Sequence, residues 1–240
     1  MRHYGLIGKS LGHSFSESFF TAKFEAEEID ANYKLYELDS IDQVERLIEE
    51  HELSGFNVTI PYKEQIIPHL DELSDEAKEI GAVNCVVVRD GKKIGHNTDV
   101  MGIEASLHWL DLDPDSRVLI LGTGGASKAV QYVLRKFSIP YTVVSRNKER
   151  GDMTYDELSA TTIAEHRVII NATPVGTFPD VDAPNIDYAS LTADHKLFDL
   201  VYNPAETLFL KQGKAAGAST MNGMLMLQTQ AIASWHLWKE

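Results

Sequence analysis

The run Ile120-Leu121-Gly122-Thr123-Gly124-Gly125-Ala126-Ser127 constrains this chain more than any other stretch. Upstream of it, Val118-Leu119-Ile120-Leu121 is continuously apolar and reads as a buried strand, and downstream the pattern is helical from near Ala126 to Lys136. A strand that stops in glycines and passes straight into a helix offers what a pyrophosphate needs. Glycine lets the backbone turn tightly and approach the ligand, while the unsatisfied N–H groups and the dipole of the helix end attract negative charge. The spacing supplies Gly122-x-Gly124, but the third glycine of a G-x-G-x-x-G fingerprint falls on Ser127. A glycine loop can also be no more than a turn, so its surroundings must decide.

Those surroundings alternate strand and helix. A helix over 102–110 leads into the glycine unit, and strands follow at 141–144, 168–171 and 196–199, the spacing of a doubly wound parallel sheet. Between Val144 and Val168 there is room for about one helix, around 155–158, so one crossover is truncated. The first hundred residues also alternate, with strands at 4–7, 33–37 and 56–60 and helices at 16–28 and 41–50. The second helix sets Ile41, Val44, Leu47 and Ile48 on one face. Pro61 suits the first turn of a further helix. Asp90-Gly91 between apolar runs at 82–89 and 92–96 signals a hairpin, and 71–79 reads as a solvated acidic helix face. The apolar helical segment 223–238 is expected to return to the first domain. The expected fold class is therefore α/β: an N-terminal α/β domain (1–101 with 222–240), which the family resemblance described below makes the substrate domain, and a doubly wound, Rossmann-like domain (102–221).

Composition narrows the partners. Twenty-two basic against 36 acidic residues give a net charge of −14, and no basic run offsets it, which argues against nucleic acid. Cys85 is the one cysteine, so no internal disulfide forms and a reducing, cytoplasmic location is expected. No apolar run reaches the roughly 18 residues of a membrane span. The nine histidines show no ligand spacing, so no metal is expected. Trp235 and Trp238 read as packing.

The cofactor type is argued from the strand after the glycines. Folds that bind NAD carry an Asp or Glu about 20 residues after the first glycine, on the ribose 2′-hydroxyl. Here Tyr141-Thr142-Val143-Val144 runs into Ser145-Arg146-Asn147-Lys148-Glu149-Arg150, with no acid at the strand end. A guanidinium there matches a 2′-phosphate, which favours NADP; the plain alternative is a solvated charged turn.

Further segments complete a pattern: Asn57-Val58-Thr59-Ile60-Pro61-Tyr62-Lys63, Gly81-Ala82-Val83-Asn84, His96-Asn97-Thr98-Asp99, Asn171-Ala172-Thr173-Pro174-Val175-Gly176, Asp199-Leu200-Val201-Tyr202-Asn203-Pro204 and Gly223-Met224-Leu225-Met226-Leu227-Gln228. In this order, from Gly8 to Gln228, they resemble the shikimate dehydrogenase family. The resemblance implies NADPH-dependent reduction of 3-dehydroshikimate to shikimate, on the chorismate route to aromatic amino acids. It implies Ser14 and Ser16 of His13-Ser14-Phe15-Ser16 on the substrate carboxylate, with Tyr202 near it. Thr59, Asn84 and Gln228 fall on the substrate hydroxyls. Gly122, Gly124, Gly125 and Ala126 fall at the pyrophosphate, and Ser145, Arg146 and Arg150 at the 2′-phosphate. Thr173, Gly223 and Met224 fall beside the nicotinamide.

Lys63 and Asp99 match the family's catalytic pair. Reducing a ketone needs hydride on carbon and a proton on oxygen, so a positioned acid is required. A lysine at a helix start is disfavoured as a cation by the dipole and favoured by a nearby carboxylate, a balance suited to proton transfer. Lys63 is expected to relay the proton and Asp99 to orient it; whether lysine acts alone or as half of a coupled pair stays open. Hydroxyls can hold a carboxylate without importing charge, although Ser16 is also a natural helix cap. The sequence departs from the family where Lys9, Ser10 and Glu17 stand in place of a proline-bearing loop, and where Ser145 and Asn147 flank Arg146 in place of an N-R-T segment. Two rivals remain: an NAD-linked quinate/shikimate dehydrogenase, opposed by the missing acid after Val144, and a non-catalytic shikimate sensor, opposed by the presence of Lys63 and Asp99. The expected assembly is a monomer or homodimer.

Overall fold

The computed structural model describes residues 1–12, 14–112 and 115–240, so His13 of the first serine loop lies outside the described residues. The chain forms two compact units, Met1–Thr98 with Ala231–Glu240, and Asp99–Gln230.

The first unit contains β1 (Arg2–Gly8), α1 (Phe15–Ala26), β2 (Ala31–Glu37), a 3-10 turn (Ile41–Gln43) running into α2 (Val44–His51), β3 (Leu53–Val58), β4 (Glu72–Leu73), α3 (Asp75–Ile80), β5 (Cys85–Arg89) and β6 (Lys92–His96). The sheet order is β2-β1-β3-β5-β6-β4, with β1 parallel to both neighbours and β5 antiparallel to both of its own. Alternation along the strands sends residues to two faces. Ile7, Phe56, Val44 and Ile66 build one core, while Tyr4, Phe20, Tyr33, Trp235 and Trp238 build the other. Trp238 lies across Gly55, where a Cβ would come within 2.5 Å of its ring, and donates its indole N–H to the carbonyl of Val86 at 3.0 Å. The tryptophans are packing, as their spacing suggested. Asp90 and Gly91 (φ 52° and 75°) turn the β5–β6 hairpin in the left-handed conformation such a turn requires.

The helix expected from Pro61 does not form. Residues 60–66 are turns, followed by a 3-10 turn at Ile67–His69. The carbonyl of Lys63 accepts the N–H of Val83 at 2.7 Å, and the Tyr62 hydroxyl donates to the Leu38 carbonyl at 2.5 Å. A tertiary partner thus takes the Lys63 carbonyl that a helix would use, and Lys63 has no helix dipole behind it. The acidic stretch after it divides into β4 and the short α3, whose N-cap is Ser74.

The second unit contains α4 (Asp99–Trp109), β7 (Val118–Leu121), α5 (Gly125–Lys136), β8 (Tyr141–Ser145), β9 (Met153–Thr154), α6 (Ala160–Glu165), β10 (Val168–Asn171), β11 (Lys196–Asp199), α7 (Leu208–Ala215), β12 (Ser219–Met221) and α8 (Met224–Lys239), whose last turns belong to the first unit. Its sheet runs β12-β11-β10-β7-β8-β9 with every pairing parallel, the 3-2-1-4-5-6 order of a doubly wound dinucleotide fold. Every residue of β7 and β10 is buried, as a sheet covered on both faces demands.

The truncated crossover is real but differently built. The expected helix at 155–158 is a 3-10 turn (Tyr155–Glu157), and the helix, α6, starts later from the Ser159 cap. Between β8 and β9 there is only a 3-10 turn (Lys148–Arg150) where a helix commonly stands. Asp152 folds this link back: its carboxylate accepts the Val143 N–H at 2.8 Å, and its own N–H donates to the Val143 carbonyl at 2.9 Å. Gly151 is required there, because a Cβ would lie 2.9 Å from the Val143 carbonyl oxygen and 2.8 Å from the Ser145 Cβ.

Candidate active site

The glycine loop follows from local sterics. Gly122 has φ +104°, and a Cβ on it would approach the Thr173 methyl to 2.7 Å. Gly124 caps α5 without a side-chain bond, and a Cβ there would meet nothing within 4 Å. The first turn of α5, starting with Gly125 and Ala126, therefore turns uncapped N–H groups toward open space beside Gly124, the cradle a pyrophosphate fits. Ser127, at the third-glycine position, is fully buried and donates its hydroxyl to the Gly122 carbonyl at 2.7 Å. It ties the loop down by a hydrogen bond where glycine would allow close packing.

Next to this loop, Gly122 donates its N–H to the carbonyl of Val144, the residue before Ser145. Ser145 is buried, and its hydroxyl accepts the Asn147 N–H at 3.1 Å, fixing the turn that presents Arg146 and Arg150 to solvent. Arg146 stands close enough to Tyr155 to lower its phenol pKa in part, against the larger upward push of burial. No acid sits at the end of β8, and the exposed guanidiniums fit a 2′-phosphate.

Thr173, Tyr202, Gly223 and Met224 are brought together at the carboxyl ends of β10 and β11, where open α/β sheets hold ligands. The Thr173 hydroxyl donates to Asn171 Oδ1 at 2.6 Å, and Asn171 Nδ2 donates to Asp199 Oδ1 at 2.9 Å. Gly223 donates its N–H to the Val201 carbonyl, and a Cβ on it would overlap the Leu200 carbonyl oxygen at 2.1 Å. Asn222 Oδ1 accepts the Met224 N–H at 3.1 Å at the start of α8, and Gln228 is exposed one turn further on. Burial raises the Tyr202 phenol above its ordinary value. Asn171, Asp199 and Thr207 form a network that pattern reading missed; two of them lay inside quoted motifs, but their pairing joins loops distant in sequence.

In the first unit the loop after β1 and the end of β3 lie together. Thr59 donates its N–H to the Ile7 carbonyl at 2.9 Å, and its methyl fills the space a Cβ on Gly8 would occupy. Ser14, not Ser16, is the N-cap of α1, accepting the Ser16 N–H at 3.2 Å. Ser16 is buried beside Tyr33, whose phenol burial pushes up and the Ser16 hydroxyl partly restores. Tyr33 in turn donates to Asn57 Oδ1 at 2.9 Å, and Asn57 Nδ2 donates to the Asn84 carbonyl at 3.1 Å. The Asn84 side chain clasps Thr98: its Oδ1 accepts the Thr98 N–H at 2.7 Å and its Nδ2 donates to the Thr98 hydroxyl at 3.0 Å. Lys63 is half-buried in this unit. In the second unit Asp99, which follows Thr98 in the chain, is 4% exposed in the first turn of α4. Burial pushes the Cys85 thiol up to about 12, so it is an inert core group. Among the described residues no three His, Cys, Asp or Glu side chains converge as a metal site.

Comparison with known proteins follows the same lines. The family model for the shikimate dehydrogenase substrate binding domain matches residues 6–86. Shikimate dehydrogenase (NADP(+)) of Clostridium beijerinckii is 37% identical, over 100% of this chain and 93% of that protein. The chain belongs to the shikimate dehydrogenase family. Among solved structures, the family's shikimate 5-dehydrogenase from Thermus thermophilus, in complex with NADP(H) and shikimate, superposes with a TM-score of 0.89 at 30% identity, covering 99% of this chain and 93% of the other. Quinate dehydrogenase from Corynebacterium glutamicum, in complex with NAD, gives 0.88 at 29% identity over 99% and 93%. One fold thus holds NADP(H) in the first of these proteins and NAD in the second.

Proposed function

We propose that this chain is an NADP-dependent shikimate dehydrogenase, reversibly reducing 3-dehydroshikimate to shikimate on the chorismate route to aromatic amino acids. The observation that carries the reading is the 37% identity with a shikimate dehydrogenase (NADP(+)) along the whole chain. The end of β8 supports the cofactor choice, since Arg146 stands exposed where an NAD-selecting acid is absent. An NAD-linked quinate enzyme lacks that support.

The bound cofactor supplies the hydride. The protein holds its pyrophosphate on the N–H groups at Gly124, Gly125 and Ala126, and its 2′-phosphate on Arg146 and Arg150 with Ser145 fixing the turn. Thr173, Gly223 and Met224 set the nicotinamide end of the second unit. Ser14 and Ser16 bind the substrate carboxylate, with Tyr202 contributing a hydroxyl, and Thr59, Asn84 and Gln228 take the substrate hydroxyls. Lys63 delivers a proton to the carbonyl oxygen of the ketone as hydride reaches its carbon, and Asp99 holds the reacting hydroxyl in line. Because Lys63 starts no helix, its suitability rests on local partners and not on a dipole. We further infer a cytoplasmic location without a nucleic-acid partner, supported by the single free thiol and the charge of −14, and an assembly that is a monomer or homodimer.

Incubation with 3-dehydroshikimate and NADPH deuterated at its transferable position tests the reading. Shikimate carrying the label at the former ketone carbon is expected; unlabelled product or no shikimate overturns it.

A further inference from the structure

A cavity of about 280 Å³ opens at the amino ends of β1 and β3, against the last turn of α8. It lies at the far end of the sheet from Gly8 and Thr59, about 20 Å along β1 from the loop that carries Ser14. Arg2, Tyr4, Ser54, Arg89, Trp238 and Lys239 line it, together with one acidic residue, Glu240.

Tyr4 is 0% exposed, and its hydroxyl makes no hydrogen bond with any described residue, although Arg2 is near enough to pull its phenol pKa down against the larger upward push of burial. A buried hydroxyl without a partner is disfavoured, and native structures rarely keep one without a reason. In a chain of net charge −14, neither Arg2 nor Arg89 nor Lys239 forms an ion pair among the described residues. The guanidiniums are nonetheless placed. Arg89 donates to the Leu237 carbonyl at 3.3 Å, and Arg2 lies 5.9 Å over the Trp235 ring. A water molecule can satisfy the Tyr4 hydroxyl, but it gives two guanidiniums no counter-charge.

We propose that this cavity is a second ligand site, for a small anion carrying a carboxylate or phosphate group. Arg2 and Arg89 take its charge, the Tyr4 hydroxyl donates to one of its oxygens, and Ser54 and Lys239 complete the wall. A planar fork such as guanidinium suits either oxyanion, and the cavity has room for a molecule of benzoate size.

The test follows the indole N–H signals of isotopically labelled protein by NMR, during titration with inorganic phosphate or with benzoate. Shikimate and NADP+ are kept saturating, so that the carboxylate and phosphate sites proposed for the reaction are filled. Trp238 lines the cavity and the Trp235 ring lies beneath the Arg2 guanidinium, while the exposed Trp109 in the other unit is the control. Saturable shifts of Trp238 and Trp235, but not Trp109, with a midpoint of roughly millimolar or tighter for either anion are expected. The double variant Arg2→Gln with Arg89→Gln weakens the binding by about tenfold or more, because charge-assisted bonds are lost at exposed side chains that the fold does not need. Tyr4→Phe leaves the thermal midpoint of the free protein unchanged or higher, since it removes an unpaired polar atom, and still weakens binding about three- to tenfold. Linear, non-saturating shifts with both anions, or shifts in the double variant equal to those of the wild type, overturn the proposal.

Discussion

Asn171 and Asp199 share a hydrogen bond, amide nitrogen to carboxylate oxygen at 2.9 Å, that joins the carboxyl ends of β10 and β11. Asn171 also holds Thr173, and Asp199 accepts the Val201 N–H at 3.0 Å and the Thr207 hydroxyl at 2.5 Å. The two loops assigned to the nicotinamide and to Tyr202 are thereby one polar assembly around a single buried carboxylate.

That carboxylate should leave a mark on the pH dependence of stability. Burial pushes Asp199 from 3.8 up to about 6, although bonds from Thr207, Val201 and Asn171 favour the ionised form. The native state therefore holds this proton more tightly than the unfolded chain. Its contribution to stability is fully present below about pH 4 and is lost as pH rises through about 6. Asp199→Asn keeps the shape and removes the titration. Denaturant unfolding at a series of pH values should show the wild type gaining on the variant by up to about 3 kcal/mol between pH 7 and 4. Parallel curves would contradict the raised value.

Lys63 and Asp99 carry the chemistry in this account. Lys63→Met and Asp99→Asn should each lower kcat by roughly two to four orders of magnitude, with the NADPH KM changed less than about threefold. Steady-state kinetics on both variants checks this, and near wild-type turnover in Lys63→Met removes its role.

Arg146 is predicted to read the 2′-phosphate. Arg146→Gln should reduce kcat/KM for NADPH by about tenfold or more while leaving NADH use unaltered, because NADH has no group for the guanidinium to meet. An equal loss with both cofactors would make Arg146 structural.

The helix-free link between β8 and β9 depends on a missing side chain. Gly151→Ala should destabilise the protein by roughly 1–3 kcal/mol, because the new Cβ meets backbone of β8 that cannot yield. Urea unfolding is the measurement, and an unchanged midpoint would mean the link is free to shift.

Much of this was readable from the amino acids because it is local. The strand, Gly122, Gly124 and helix α5 follow from backbone sterics and apolar runs, and the strands at 168–171 and 196–199 match β10 and β11 at both ends. Asp90-Gly91 gave the hairpin through its turn conformation. What sequence could not show was decided by partners far along the chain. Lys63 sits in a turn and not a helix because its carbonyl pairs with Val83, twenty residues on. The Asn171–Asp199 bond spans 28 residues, and no periodicity announces it. β12, three residues at the sheet edge, and α7, with its Thr207 cap, carry too little pattern to separate from the segment around them.

The most direct measurement is NADPH consumption with 3-dehydroshikimate, run beside NADH, with shikimate and quinate compared in the oxidising direction. The account predicts rapid turnover with NADPH, a large preference over NADH, and shikimate well ahead of quinate. A preference for NADH or for quinate, or shikimate binding without turnover, would contradict it.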